Sequence, residues 1–257
     1  MQKFNLTPRA LFMASAALVL VGGLPVQASD QDSRIESAAK SSYNFKTYLK
    51  DDNIKVQSSG GVVTLTGTVA QDYHKFLAQE TVSGLPGVKG VNNQLTVVGD
   101  QPSEHSDGWI TMKVKATLTF HKKVSGTGTE VNTQNGVVTL SGKADSEGQK
   151  QLTGEYAKDV DGVTEVRNEL VVSTPGKAAH RTLGEKVDDS SITAQIKTAL
   201  LFHKSTHAVT TKVTTKNGVV TLRGEAKNGA EKELVTKLSE DIYGVTHVRN
   251  RMTVKKP

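Results

Sequence analysis

Apolar positions in this chain recur with two different periods, and the order of those periods is repeated three times. In the last third, Ile192, Ile196, Ala199 and Leu200 share one helical face, preceded by Asp188, Asp189 and Ser190 as capping residues. The stretch KVTTKNGVVTLRG then reads as strand, turn and strand, because Asn217 and Gly218 tolerate the positive φ of a tight hairpin. Leu234, Leu238 and Ile242 return to helical spacing, with Gly244 placed as the C-terminal cap. A last strand alternates, with Val248, Met252 and Val254 inward and Arg249, Arg251 and Thr253 outward. The predicted order is helix, strand, strand, helix, strand.

That order is spelled twice more. NGVVTL occurs at 135–140 and 217–222, and GGVVTL at 60–65. A second marker follows each hairpin: GVKGVNNQLTV from Gly87, GVTEVRNELVV from Gly162 and GVTHVRNRMTV from Gly244. Turn glycine and marker glycine are 26 residues apart in every copy, and Ile35, Ile110 and Ile192 precede the turn glycines by 26 as well. A gap-free frame on both sides of the hairpin means internal triplication. The second helix reads Leu152, Tyr156, Val160 in the middle copy and, more loosely, Leu77, Thr81, Leu85 in the first. A strand–helix–strand connection crosses over right-handed, so the last strand is expected parallel to the second. Each unit is then a small α+β fold, a three-stranded mixed sheet with two helices on one face and the other face open. Units of about 70 residues bury a modest core and are expected to be only modestly stable alone.

The hairpin and marker motifs together resemble the BON domain, named for bacterial osmotically inducible and nodulation proteins. The resemblance covers 32–100, 107–175 and 188–257, nearly the whole chain after residue 28. It implies an αββαβ fold, residence in the periplasm, no enzymatic activity, no cofactor, and attachment to phospholipid or envelope components under osmotic stress. The family brings no catalytic motif, and the quoted glycines and valines locate the scaffold, not a binding site.

The first residues have a different character. Lys3 and Arg9 precede the apolar run LFMASAALVLVGGL, and Val26 and Ala28 occupy small-residue cleavage positions. This is the pattern of a secretory signal peptide over 1–28, cut after Ala28, with an apolar run too short to span a bilayer. The chain has no cysteine, which excludes disulfides, thiolate metal sites and lipid attachment through a thiol. Export in a bacterium with two membranes points to the periplasm and argues against a nucleic-acid partner.

Charge separates the three copies. Residues 29–102 hold 7 Lys and Arg against 8 Asp and Glu, residues 103–175 hold 8 against 10, and residues 176–257 hold 15 against 8. Alternation places Lys212, Arg223, Arg249, Arg251 and Lys255 together on the uncovered side of the third sheet. The matching positions are Glu130, Ser141, Arg167, Glu169 and Ser173 in the second copy, and Lys55, Thr66, Asn92, Gln94 and Val98 in the first. Five cations on one face suit anionic phospholipid headgroups at a membrane surface. The plainer alternative is a solvated face that favours solubility and discourages edge pairing. Trp109, the one tryptophan, is a second candidate membrane contact, or simply packs over a helix entry.

Other motifs carry less. His203 and His207 have a metal-site spacing but no third ligand in view, and His121 takes the place of His203 in the second copy. A structural role near a helix C-terminus is expected for these histidines. SGTG at 125–128 precedes a strand and reads as a loop, and the acid pairs at 51–52 and 188–189 read as turn and cap. No nucleophile elbow or metal-binding helix motif is present, so no metal site or enzyme is expected. The linkers VGDQPSEHS and STPGKAAHRTLGEKV differ in length, and the longer second one suggests a third domain that moves freely. A different reading of the whole chain is a holdase-type chaperone or adaptor for exported proteins, presenting open sheet faces to unfolded clients. The oligomeric state is not encoded in any of these patterns.

Overall fold

The computed structural model describes residues 30–99, 101–124, 126, 128–173, 186–206 and 210–255. The segment 1–28 that reads as a signal peptide, Ser125 and Thr127 of SGTG, His207 and most of the second linker lie outside the described residues. The first unit comprises α1 (Asp30–Ser41), α2 (Tyr43–Thr47), β1 (Asn53–Ser59), β2 (Val62–Val69), α3 (Asp72–Ser83) and β3 (Gly90–Val97). The second comprises α4 (Asp107–Phe120), β4 (Thr129–Gln134), β5 (Val137–Ala144), α5 (Glu147–Lys158), β6 (Glu165–Asn168) and β7 (Val171–Val172). The third comprises α6 (Asp189–Phe202), β8 (Lys212–Lys216), β9 (Val219–Arg223), β10 (Glu225–Ala226), α7 (Gly229–Glu240), β11 (His247–Asn250) and β12 (Thr253–Val254).

Each sheet has the expected topology. β1 pairs antiparallel with β2 and β2 parallel with β3; β4, β5 and β6 repeat this, as do β8, β9 and β11. β7 and β12 continue their predecessors in the same register.

Two polar contacts explain why the motif residues recur. A carboxylate in the first turn of each leading helix accepts both N–H groups of the hairpin turn. Asp32 takes Gly60 and Gly61, Asp107 takes Asn135 and Gly136, and Asp189 takes Asn217 and Gly218, all at 2.7–2.9 Å. Asn135 and Asn217 sit at φ 50° and 51°, a conformation asparagine tolerates and branched residues avoid. The marker asparagine does the same for the second helix: Asn93, Asn168 and Asn250 donate to the carbonyls of Lys75, Lys150 and Lys232 at 2.7–3.0 Å. Each also accepts from the N–H two residues on. Helix and strand are thereby locked in one register.

Three expectations are corrected. The first unit's leading helix is not continuous: Ser42 is extended (φ −62°, ψ 151°) and splits α1 from α2. Beyond the break, the Tyr43 N–H donates to Asp188 and the Asn44 N–H to Ser191, both in the third unit. Val254 faces inward by parity but is 42% exposed, because the strand end outruns the helices. The third domain is not free. Its helix α6 packs on α3, where Lys197 reaches Glu80 at 2.6 Å, and on α4. Buried apolar residues from all three units join into one core, and Tyr48 and Tyr73 meet Phe120 and Phe202 edge-on where the units converge. Three thin cores gain by merging, since each added contact removes more apolar surface from water.

Candidate functional site: the open sheet faces

Helices cover one side of each sheet and leave the other exposed, so the side chains there are free of packing constraints. On the third sheet Lys212, Arg223, Arg249, Arg251 and Lys255 are all exposed on this side. Lys212 and Arg223 are direct cross-strand partners. The Arg251 N–H donates to the Leu222 carbonyl at 2.8 Å, which sets Arg251 beside Arg223 on the third strand. Arg249 is paired with Thr221 one step away.

With adjacent strands about 4.8 Å apart, neighbours in the row Lys212, Arg223, Arg251 lie within one screening length, near 8 Å at physiological salt. Lys216, also exposed and in phase with Lys212 along β8, is a sixth cation on this face. The alternation that located Lys212 points to it directly, four residues on. Among the described residues of these strands, one carboxylate, Glu225, stands against the six cations. Among the described residues none of the six makes a salt bridge within 4.0 Å.

The equivalent row on the second sheet is Glu130, Ser141, Glu169, with Arg167 held against Glu165 at 3.4 Å. These side chains, with Asn132, Gln134 and Thr139, line a shallow open depression of about 500 Å³. The row on the first sheet is Lys55, Thr66, Gln94.

Trp109 stands apart from all three faces. It lies half-buried in the first turn of α4, where Ser106 caps the helix by accepting the Trp109 N–H at 3.3 Å. The Lys113 ammonium sits 3.5 Å from the centre of its ring and the His105 ring packs at 4.9 Å. His203 flanks the C-terminus of α6, with Nδ1 2.9 Å from Asp159 of the second unit. Asp52 accepts the Ala70 N–H and contacts His74, and Asp188 caps α6 by accepting the Ser191 N–H. Among the described residues no three His, Cys, Asp or Glu are grouped to hold a metal, and no helix is long and apolar enough to cross a membrane.

The family model described as BON domain matches residues 31–99, 106–174 and 188–256. Osmotically-inducible protein Y of Escherichia coli (strain K12) is 32% identical over 204 residues, covering 79% of this chain and 98% of that protein. The outer membrane lipoprotein DolP of Haemophilus influenzae is 27% identical over 135 residues, covering 52% of this chain and 68% of its own. Among solved structures, the C-terminal domain of CdsD, the structural protein of the type III secretion system of Chlamydia trachomatis, aligns at 17% identity and a TM-score of 0.24, covering 89% of this chain and 98% of that one. The triplicated αββαβ units and the matched stretches coincide: the chain belongs to the BON domain family.

Proposed function

We propose that this is a non-enzymatic periplasmic binding protein that attaches to anionic phospholipid headgroups through the open sheet face of its third domain, over 188–257, and supports the envelope under osmotic stress. The observation that carries the reading is six exposed cations on one sheet face with one carboxylate among them. Each cation near an anionic bilayer contributes about 1 kcal/mol. Six therefore supply at most roughly 6 kcal/mol, equivalent to a dissociation constant of tens of micromolar at best. Such binding is peripheral, reversible and weakened by salt. The names of two relatives, one osmotically inducible and one an outer membrane lipoprotein, are consistent with this setting.

The holdase reading has less support. Among the described residues, exposed large apolar side chains such as Val62, Val98, Val171 and Leu201 are spread over the three units and not gathered in one of them. Flotation with vesicles containing an anionic phospholipid, at low and high salt, tests the proposal. The full chain is expected to float at low salt and to be released at high salt. A variant with Arg223, Arg249 and Arg251 changed to Gln that floats as well as the unaltered chain removes the site.

A further inference from the structure

Copies two and three share a spelling that copy one lacks. Phe-His-Lys stands at 120–122 and 202–204 and an aspartate at 159 and 241, where the first copy has Phe45-Lys46-Thr47 and Gly84. The fold brings these residues together. His121 and His203 follow α4 and α6 and meet at the junction of the second and third units, 1% and 2% exposed. Their Nε2 atoms are 3.4 Å apart. Each Nδ1 faces a carboxylate of the other unit: His203 lies 2.9 Å from Asp159 and His121 3.5 Å from Asp241. The backbone repeats the exchange, with the Lys122 N–H donating to the Asp241 carbonyl and the Lys204 N–H to the Asp159 carbonyl, both at 2.8 Å.

Four ring nitrogens set a proton count. Both Nδ1 atoms face carboxylates and call for a hydrogen each, while only one hydrogen fits between the facing Nε2 atoms. Three protons on the two rings therefore match every nitrogen to the group it faces, although the His121 Nδ1 meets Asp241 as a 3.5 Å charge contact and not as a formed hydrogen bond. Two protons leave a lone pair against a carboxylate or against another lone pair. Four protons set two N–H groups and two positive charges head-on in a buried site. We propose that His121, His203, Asp159 and Asp241 form a buried proton-binding site that joins the second and third domains with one shared proton and parts them when a second is taken up.

The surrounding groups support this assignment. From α5, the Tyr156 hydroxyl donates to Asp241 at 3.0 Å and its ring packs 4.3 Å from His121 and 5.6 Å from His203. Burial and the Asp241 charge raise that hydroxyl's pKa, so it remains a donor. From the segment after α4, the Lys123 N–H donates to Asp241 at 3.0 Å, while burial lowers the pKa of the neighbouring Lys122 against the pull of Asp241. After α6, the Ser205 hydroxyl donates to Asp159 and the Lys204 ammonium to the Lys158 carbonyl. Glu240, next to Asp241, is exposed.

Burial, joined by the charge of His203, holds the His121 imidazole below its ordinary value despite Asp241. The separated state then binds more protons than the joined one as pH falls below the free histidine value, about 6.5, so acid weakens the junction. The contact of the first unit with the third joins Glu80 to Lys197 and the Tyr43 and Asn44 N–H groups to Asp188 and Ser191, and among the described residues it pairs no histidines.

The test uses the full chain, with histidine-ring NMR and small-angle scattering between pH 7.5 and 4.5, with and without a chelator. The two rings are expected to titrate in two coupled steps, with the radius of gyration rising at the lower one. His203→Gln is expected to remove that rise. A constant radius across the range, two independent titrations near the free value, or a step that disappears with chelator overturns the proposal. So does His203→Gln expanding at the unaltered pH. If that variant fails to fold, the unaltered chain's titration and scattering decide.

Discussion

The open faces of the second and third sheets share a backbone and oppose each other in charge. Eighty-two residues apart, Glu130 becomes Lys212, Glu169 becomes Arg251 and Lys143 becomes Glu225. The turn carboxylates Asp107 and Asp189 and the marker asparagines Asn168 and Asn250 do not change, and make the same contacts in both units. Residues that hold the fold are fixed by what they touch. Residues on the open face lie outside the core, so the fold leaves them free to differ. Two copies with one scaffold thus carry opposite charges at three matched positions.

The comparison breaks most visibly if the third face is rewritten as the second. Arg223→Glu with Arg251→Glu replaces two attractions by two repulsions, worth about 2 kcal/mol each. Binding to anionic vesicles, measured by flotation or calorimetry, is expected to fall about a thousandfold. The shared scaffold gives the opposite outcome. Asn168→Ala and Asn250→Ala each remove a donor and an acceptor from a part-buried joint, at about 2 kcal/mol of unfolding free energy apiece. Denaturant unfolding is expected to show similar losses for the two, and unequal losses mean the units do not share a scaffold energetically.

The reciprocal experiment sharpens the comparison: Glu130→Lys with Glu169→Lys on the second face adds two attractions of about 1 kcal/mol each and is expected to tighten vesicle binding about thirtyfold, visible as flotation persisting to higher salt. The smallest effect concerns Asp188. Burial pushes its carboxyl up, but hydrogen bonds from Ser190, Tyr43 and Ser191 outweigh it and hold the pKa below the ordinary value. Its folded-state pKa is depressed, so the stabilisation is complete above the unfolded carboxylate value, near 3.9, and is lost as pH falls through the depressed one. Asp188→Ala is expected to cost about 1 kcal/mol at neutral pH and progressively less below pH 4 in acid-unfolding curves.

Much of this was legible along the chain because the hairpin turn, the marker glycine and the helical faces each depend on neighbours within one copy. Alternation alone located Lys212, Arg223, Arg249 and Arg251, since a strand has only two sides. What escaped lies between copies. Ser42 gives no hint that it breaks a helix, because the break is stabilised by Asp188 and Ser191, almost 150 residues away. His203 read as a structural histidine near a helix end, and nothing along the chain named its partners, Asp159 and His121. The Phe-His-Lys spelling shared by two copies and missing from the third was the one available signal, and it becomes meaningful only once the copies are known to touch.

Position 84 has a consequence for copy number. A contact related by a dyad consumes modules in pairs, and three modules leave one over. The leftover has surrendered the pairing chemistry: Lys46 stands where the imidazole would be, and Gly84 brings its helix end so near Ser190 that a methyl group there would sit 3.1 Å from that side chain. The odd module is committed to a second kind of joint, in which Gly84 meets Ser190 and Glu80 meets Lys197.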